Sequence, residues 1–388
     1  MITHCAPNRG GIAHYSACLI DQLSKITSVE LVSFARLFPR FLFKGGKGTE
    51  PTFFPMLKAP VYRVLKYYNP ATWMHAFSLI KNKIDPDLIH IQWVSPFLAP
   101  PYFFLLLLNR LTCNKPVVLT CHNVLPHERT PFDRILSWMV FTQASAFIVH
   151  AGKSKEQLIS LFGIDPRRIF VIPHGNYAFF RRWSKCSAED AKRILAVVGN
   201  KVILFFGYVR PFKGLIYLIR AMKSVIDEEP KSVLLIVGEM WESKDKYVKE
   251  IGRLKIEEHV KFFSRYIPDS QVHLFFEAAD VVVLPYVDAT QSGPMHIAMA
   301  FNKPVVATAV GGIPETLSDY EMGLLAPPKH VEQLSLAILR VLKNEIPFRE
   351  IDKNAKERLK DNLDWSRIAR RHHQVYLEIA IEESNSSS

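Results

Sequence analysis

Two cations stand close together in the loop Gly207-Tyr208-Val209-Arg210-Pro211-Phe212-Lys213-Gly214. The loop follows a strand-like run, Val202–Phe206, and precedes a helical pattern, Leu215–Glu228. Fixed positive charge there would favour a transition state in which an anionic group leaves. A second segment, Asp288 to Glu315, reads as loop, helix, strand and loop. Ser292 is a good N-cap and Pro294 falls in the first helical turn. Ile297 to Ala300 continues an apolar helix, and Pro304–Ala309 suits a buried parallel strand before Gly311 and Gly312. Such a helix start offers unpaired N–H groups and the positive end of a dipole, which suits phosphate. Thr290, Gln291, Ser292 and the amide of Gly293 can hydrogen-bond hydroxyls or phosphate oxygens, whereas Pro294 cannot donate.

Other loops carry chemistry-capable residues with plainer alternatives. Gly10-Gly11 lets backbone approach a ligand closely, and is equally a simple turn. His122 ends the strand-like Val117–Cys121 as either a structural or a functional histidine, with His127 and Glu128 nearby. The turn Ile172-Pro173-His174-Gly175-Asn176 reads as a linker or a ligand contact. Gly238-Glu239 ends one apolar run, and Arg265-Tyr266 follows another.

These loops need elements to hold them. Strand candidates are Val29–Phe34, Leu88–Gln92, Val117–Cys121, Ala146–Val149 and Ile169–Ile172, with a short one at the amino terminus. A second series is Val202–Phe206, Ser232–Val237, Val260–Phe263, Asp280–Leu284 and Pro304–Ala309. Helical patterns such as Ile12–Ile26, Lys246–Leu254, Gln271–Ala279 and Val331–Lys343 lie between them. The alternation predicts an α/β protein: two Rossmann-like domains with parallel sheets facing a cleft. Ligands in such sheets bind beyond the carboxyl ends of the strands, where these loops fall. The expected domains are residues 1–180 and 181–364, with a last helix over 365–384 packing back on the first. The Ser-rich end at 385–388 is expected to be disordered.

Bulk properties agree. A chain of 388 residues exceeds what one core normally serves, and 48% hydrophobic with 22% charged residues is a globular composition. Five scattered cysteines show no metal-like pairing and predict reduced thiols in a cytoplasmic protein. Met1 starts no signal-peptide pattern. The apolar run Phe97–Leu108 is too short to span a bilayer, which takes about 20 residues. The net charge is +12, and Arg36–Lys83 carries nine basic residues against one acidic, Glu50, interleaved with aromatics. That pattern suits an anionic membrane surface, or a solvated face with its aromatics turned inward. No nucleic-acid motif accompanies it.

From Arg9-Gly10-Gly11 to the terminal DWSRIARRHHQVY, these motifs resemble retaining glycosyltransferases of family 4 (group 1 glycosyltransferases). The resemblance implies a GT-B fold. It also implies sugar transfer from a nucleotide-diphosphate sugar to a glycan or lipid-linked saccharide, with no metal or other cofactor. It places His122 beside the transferred sugar, and Gly10 and Gly11 near the donor phosphates. Lys213 sits at the family's cation position, and Arg210 substitutes for an arginine the family carries where Tyr208 stands. Gly207 belongs to the donor-binding set, and the loops carrying Glu239 and Tyr266 flank the nucleobase. The family's "EAMA" helix normally brings two glutamates; here those positions are Ala289 and Ile297, and Thr290-Gln291-Ser292-Gly293 leads into the helix instead. Two rivals follow: a nucleotide-sugar-binding protein without transferase activity, and a nucleotide-sugar 2-epimerase.

Overall fold

The computed structural model describes residues 1–5, 10–37, 39, 59–128, 130–320, 322–345 and 362–387. Asn8 and Arg9, and residues 38 and 40–58 of the basic aromatic segment between 36 and 83, lie outside them. The chain forms two compact units, one of Met1–Gly175 with Asn362–Ser388, the other of Asn176–Asp361. The division falls five residues before the sequence-based boundary at 180. Tyr177 and Phe180 are buried against elements that follow them, Tyr177 lying against Gly293 and near His296.

In the first unit the strands are β1 (Leu31–Arg36), β2 (Val61–Lys66), β3 (Ile89–Trp93), β4 (Val117–Cys121), β5 (Ala146–Val149) and β6 (Ile169–Val171). β3 to β6 pair in parallel in chain order, and β1 pairs in parallel with β2. Ile2 bridges Val32 of β1 and Ile91 of β3, so the amino terminus lies between the two sheets. It makes two isolated bridges rather than the strand expected. The helices are α1 (Gly11–Leu23), α2 (Pro70–Leu79), α3 (Ala99–Thr112), α4 (Asp133–Phe141) and α5 (Gly152–Phe162). Among the expected strands, β2 is absent: VYRVLK carries two cations and is only partly buried, so it gives no continuous apolar run. The terminal helix, Trp365–Ser387, buries Ile368, Ala369, Val375 and Ile379 in a cluster with Tyr15, Leu19 and Leu23 of α1.

The second unit has α6 (Ala188–Ile194), β7 (Lys201–Phe206), α7 (Leu215–Glu228), β8 (Ser232–Val237), α8 (Asp245–Leu254) and β9 (Val260–Phe263). It goes on with α9 (Asp269–Ala278), β10 (Val281–Leu284), α10 (Gly293–Ala300), β11 (Val305–Thr308), α11 (Ile313–Tyr320), β12 (Gly323–Ala326) and α12 (Val331–Leu342). Its parallel sheet has the order β12-β11-β10-β7-β8-β9. β8, β10 and β11 are buried throughout, as a sheet covered by helices on both faces requires. The order reverses between β7 and β10. That switch point opens a crevice beyond the carboxyl ends of these two strands, where ligands of doubly wound folds sit.

Candidate functional site

The loop carrying both cations leaves β7, and the loop leading to α10 leaves β10, so both predicted segments border the switch point. Main-chain hydrogen bonds join them. Val209 N–H donates to Glu239 O (2.9 Å), and Trp241 N–H donates to Val209 O (3.0 Å). Val287 N–H donates to Phe212 O (2.8 Å), and Gly312 N–H to Thr290 O (3.0 Å). Gly207, Arg210, Lys213, Glu239 and Thr290 thus sit on one connected rim. Gly214 makes a close approach: φ is +67°, and a Cβ there would collide with the carbonyl oxygen of Pro285. Only glycine fits.

Aromatic rings aim the cations. Lys213 Nζ lies 3.8 Å from the ring centroid of Tyr286. The Arg210 guanidinium lies 5.0 Å from the Trp241 ring and 5.5 Å from Phe212. Contacts of this kind hold a cation by the ring quadrupole. Tyr286 also reaches α10, its Oη standing 3.1 Å from Ser292 Oγ. Ser292 caps that helix, accepting from Met295 N–H at 3.3 Å. Thr308 Oγ1–H fixes the Tyr286 main chain by donating to its carbonyl (2.5 Å). One side chain therefore links the cation at 213 to the phosphate-suited helix start. Sequence reasoning missed Tyr286 and Trp241; their signal is an aromatic one to three residues past a strand-ending Pro or Gly.

The remaining predicted positions differ in placement. Gly293 opens α10, and Gln291 is half-buried beside it. Ile297 is buried on α10, so an apolar packing contact stands where the family has a carboxylate. Tyr266 is half-buried beyond the edge strand β9, at the far end of the sheet from β10. Gly10 and Gly11 start α1 in the first unit.

His122 lies at the carboxyl end of β4 in the first unit, 7% exposed, and both its ring nitrogens are engaged internally. Nε2 stands 2.7 Å from Gln92 Oε1 and Nδ1 3.3 Å from His150 Nε2. His150 Nδ1 in turn meets the carbonyl of Ile172 at 2.9 Å. Gln92 Nε2 is 3.3 Å from His90 Nε2, and His90 Nδ1 is 2.7 Å from Tyr376 Oη on the terminal helix. Tyr15 of α1 packs edge-on against His122 and contacts the rings of His150, His174 and His372. Burial depresses the basicity of five of these histidines. It pushes His122 and His90 well below the ordinary histidine range, His4 and His150 down to about 4 and His372 to about 3. These five are neutral at pH 7. Among the described residues no group of three or more His, Cys, Asp or Glu is arranged to hold a metal ion, and no helix is long and apolar enough to cross a membrane.

Comparison with known proteins agrees with this arrangement. Residues 187–358 match the model of "Glycosyl transferases group 1", and residues 9–175 match that of "Glycosyltransferase Family 4". An uncharacterized glycosyltransferase of Methanocaldococcus jannaschii is 30% identical over 247 residues, 62% of this chain and 62% of that protein. A D-inositol 3-phosphate glycosyltransferase of Corynebacterium glutamicum is 23% identical over 321 residues, 78% of this chain and 75% of that protein. Among solved structures, sucrose-phosphate synthase from Thermosynechococcus elongatus superposes with a TM-score of 0.76 at 20% identity, over 97% of this chain and 98% of that one. The Anabaena protein HepE in complex with UDP superposes at 0.72 with 20% identity, over 100% and 99%. The fold is GT-B, and the chain belongs to the group 1 glycosyltransferases.

Proposed function

We propose that this protein is a retaining glycosyltransferase that moves a hexosyl or related sugar from a nucleotide-diphosphate sugar to a glycan or lipid-linked saccharide. The observation that carries the reading is the β7–β10 switch point. There Tyr286 links Lys213 to the Ser292-capped start of α10, and Arg210 stands in the same loop as Lys213. As the glycosyl bond breaks, the diphosphate gains charge. Two aimed cations and a helix start stabilise that charge more in the transition state than in the ground state. This set does the work a divalent ion does elsewhere, which supports metal-independent transfer. HepE was solved with UDP-glucose, which supports a nucleotide sugar as donor. Donor binding falls to Gly207, Glu239, Thr290, Gln291, Ser292 and Gly293. The proposed set also takes in Ile297, Tyr266, Gly10, Gly11 and His122.

The proposed place of action is the cytoplasmic membrane face, in polysaccharide or glycolipid synthesis. It rests on the basic aromatic sequence of Arg36–Lys83. Of its described part, Lys83 Nζ lies 4.9 Å from the Tyr62 ring. Binding to anionic vesicles that falls as salt rises supports this reading; binding indifferent to salt and lipid charge contradicts it. The activity is tested with Lys213→Ala. Removing one charge-stabilising group should lower kcat by about a hundredfold to a thousandfold. An unchanged kcat with every donor the wild type uses would remove Lys213 from this role.

A further inference from the structure

A cavity of about 410 Å³ lies in the first unit, away from the loops described above. Lys115 stands two residues before β4, and Ser145 and Arg168 directly precede β5 and β6; all three line it. The cavity therefore opens at the amino ends of these strands, whereas His122 follows the carboxyl end of β4. Five strand residues put about 16 Å between those two ends. α3 contributes Leu106 and Arg110 to the lining, and the terminal helix closes it with Ile379 and Glu382. Several polar groups here are fixed but not used up. Arg168 is half-buried, its Nε–H donating to the Ser145 carbonyl (2.8 Å) and its Nη2 to that of Ala144. These bonds set the plane of the guanidinium, and Nη1 makes no hydrogen bond among the described residues. Arg110 is exposed, and its guanidinium makes no hydrogen bond or ion pair among them. Gln143 Nε2–H donates to Thr142 Oγ1 (3.4 Å), while Gln143 Oε1 is buried with no partner among them. Lys115 Nζ is paired with Asp85 (3.1 Å), and the Glu382 carboxylate also acts on Arg167.

We propose that this cavity binds a hydroxylated phosphate monoester, its phosphate between Arg110 and Arg168 and a hydroxyl donating to Gln143 Oε1. Charge selects the phosphate. A phosphate monoester is close to a dianion at pH 7, and two guanidinium groups with N–H donors to spare match it in charge and geometry. The hydroxyl follows from Gln143, because a buried acceptor is satisfied only by a donor, and phosphate oxygens supply none. Leu106 and Ile379 give the short carbon skeleton an apolar wall. Glu382 opposes a second anionic group, which favours a monoester over a bisphosphate. No aromatic side chain is among the described lining residues, so the cavity offers a nucleobase no stacking platform. Its size lies toward the lower end for small-molecule sites, as a small polyol or sugar phosphate requires. Occupancy ties the terminal helix to α3 and to the loops before β5 and β6. The ligand chemistry owes nothing to the β7–β10 switch point, which belongs to the other unit.

The test is calorimetric titration of the full chain with glycerol 3-phosphate and with methyl phosphate, which carries the same charge and no hydroxyl. Glycerol 3-phosphate is expected to bind one to one and about tenfold more tightly than methyl phosphate. Arg110→Glu, a change at an exposed side chain, should weaken both by about tenfold or more. Gln143→Leu should lower glycerol 3-phosphate to the affinity of methyl phosphate and leave methyl phosphate unchanged. Lys213→Ala should alter neither, which separates this site from the switch point. No saturable binding by the wild type would overturn the proposal, and so would wild-type affinity for glycerol 3-phosphate in Arg110→Glu or in Gln143→Leu. Binding that Lys213→Ala abolishes and Arg110→Glu spares would move the phosphate to the switch point and contradict this site. Amide hydrogen exchange of the wild type locates the ligand without any variant. Glycerol 3-phosphate should slow exchange over residues 142–145, and unchanged exchange there counts against the cavity.

Discussion

Lys213 and Ser292 are 79 positions apart in the chain, yet Tyr286 touches both. Its ring and its hydroxyl do separate jobs, and substitution can part them. Tyr286→Phe keeps the ring beneath Lys213 and loses the contact to Ser292. It should cost about 1 kcal/mol of stability by urea denaturation, with little change in nucleoside diphosphate affinity. Tyr286→Leu removes the cation–π contact as well, worth about 1–2 kcal/mol when desolvated, so affinity by calorimetry should fall about tenfold. The two cations and the Ser292 cap were legible in the sequence because loop cations and N-caps announce themselves by residue type. Tyr286 was not: its meaning depends on β10 lying beside β7, a pairing no local pattern encodes. Gln92 and His150 were hidden for the same reason, lying 30 and 28 positions from His122.

At the scale of elements, most strands were readable from their apolar residues, and β2 and β12 were not. β8 and β10 are buried along their whole length, whereas β2 and β12 carry cations or a glycine and lie at sheet edges. The turn from β7 into α7 depends on Gly214, whose positive φ and contact with the Pro285 carbonyl exclude a side chain. Gly214→Ala should destabilise the protein by about 1–3 kcal/mol from backbone strain alone, with the collision adding to it, as read from the urea midpoint. It should also weaken nucleotide binding, since Lys213 is the preceding residue.

For the whole molecule, burying neutral histidines makes stability depend on pH. His4, His150 and His372 have folded values of about 4, 4 and 3, against about 6.5 when unfolded. Between these limits the unfolded chain binds more protons. The contribution is therefore complete above pH ~6.5 and lost as pH falls toward about 4. Each fully buried histidine accounts for on the order of 1–3 kcal/mol, so acid should unfold the first unit in that window. A melting temperature constant from pH 7 to pH 4 would contradict this. The two-unit α/β organisation was legible from the alternation of strands and helices, while the histidine cluster was not. Its members come from the amino terminus, β3, β5, the turn after β6 and the last helix, and only the fold gathers them.

The central claim is that the β7–β10 switch point holds a nucleoside diphosphate through Lys213, Arg210 and the start of α10. Calorimetric titration with UDP, GDP and ADP, in the presence of a chelator, tests it most directly. The account predicts that at least one binds the wild type with one-to-one stoichiometry, and that Lys213→Ala weakens it by at least tenfold. Binding equally tight in Lys213→Ala, or no binding by any of the three, would contradict it.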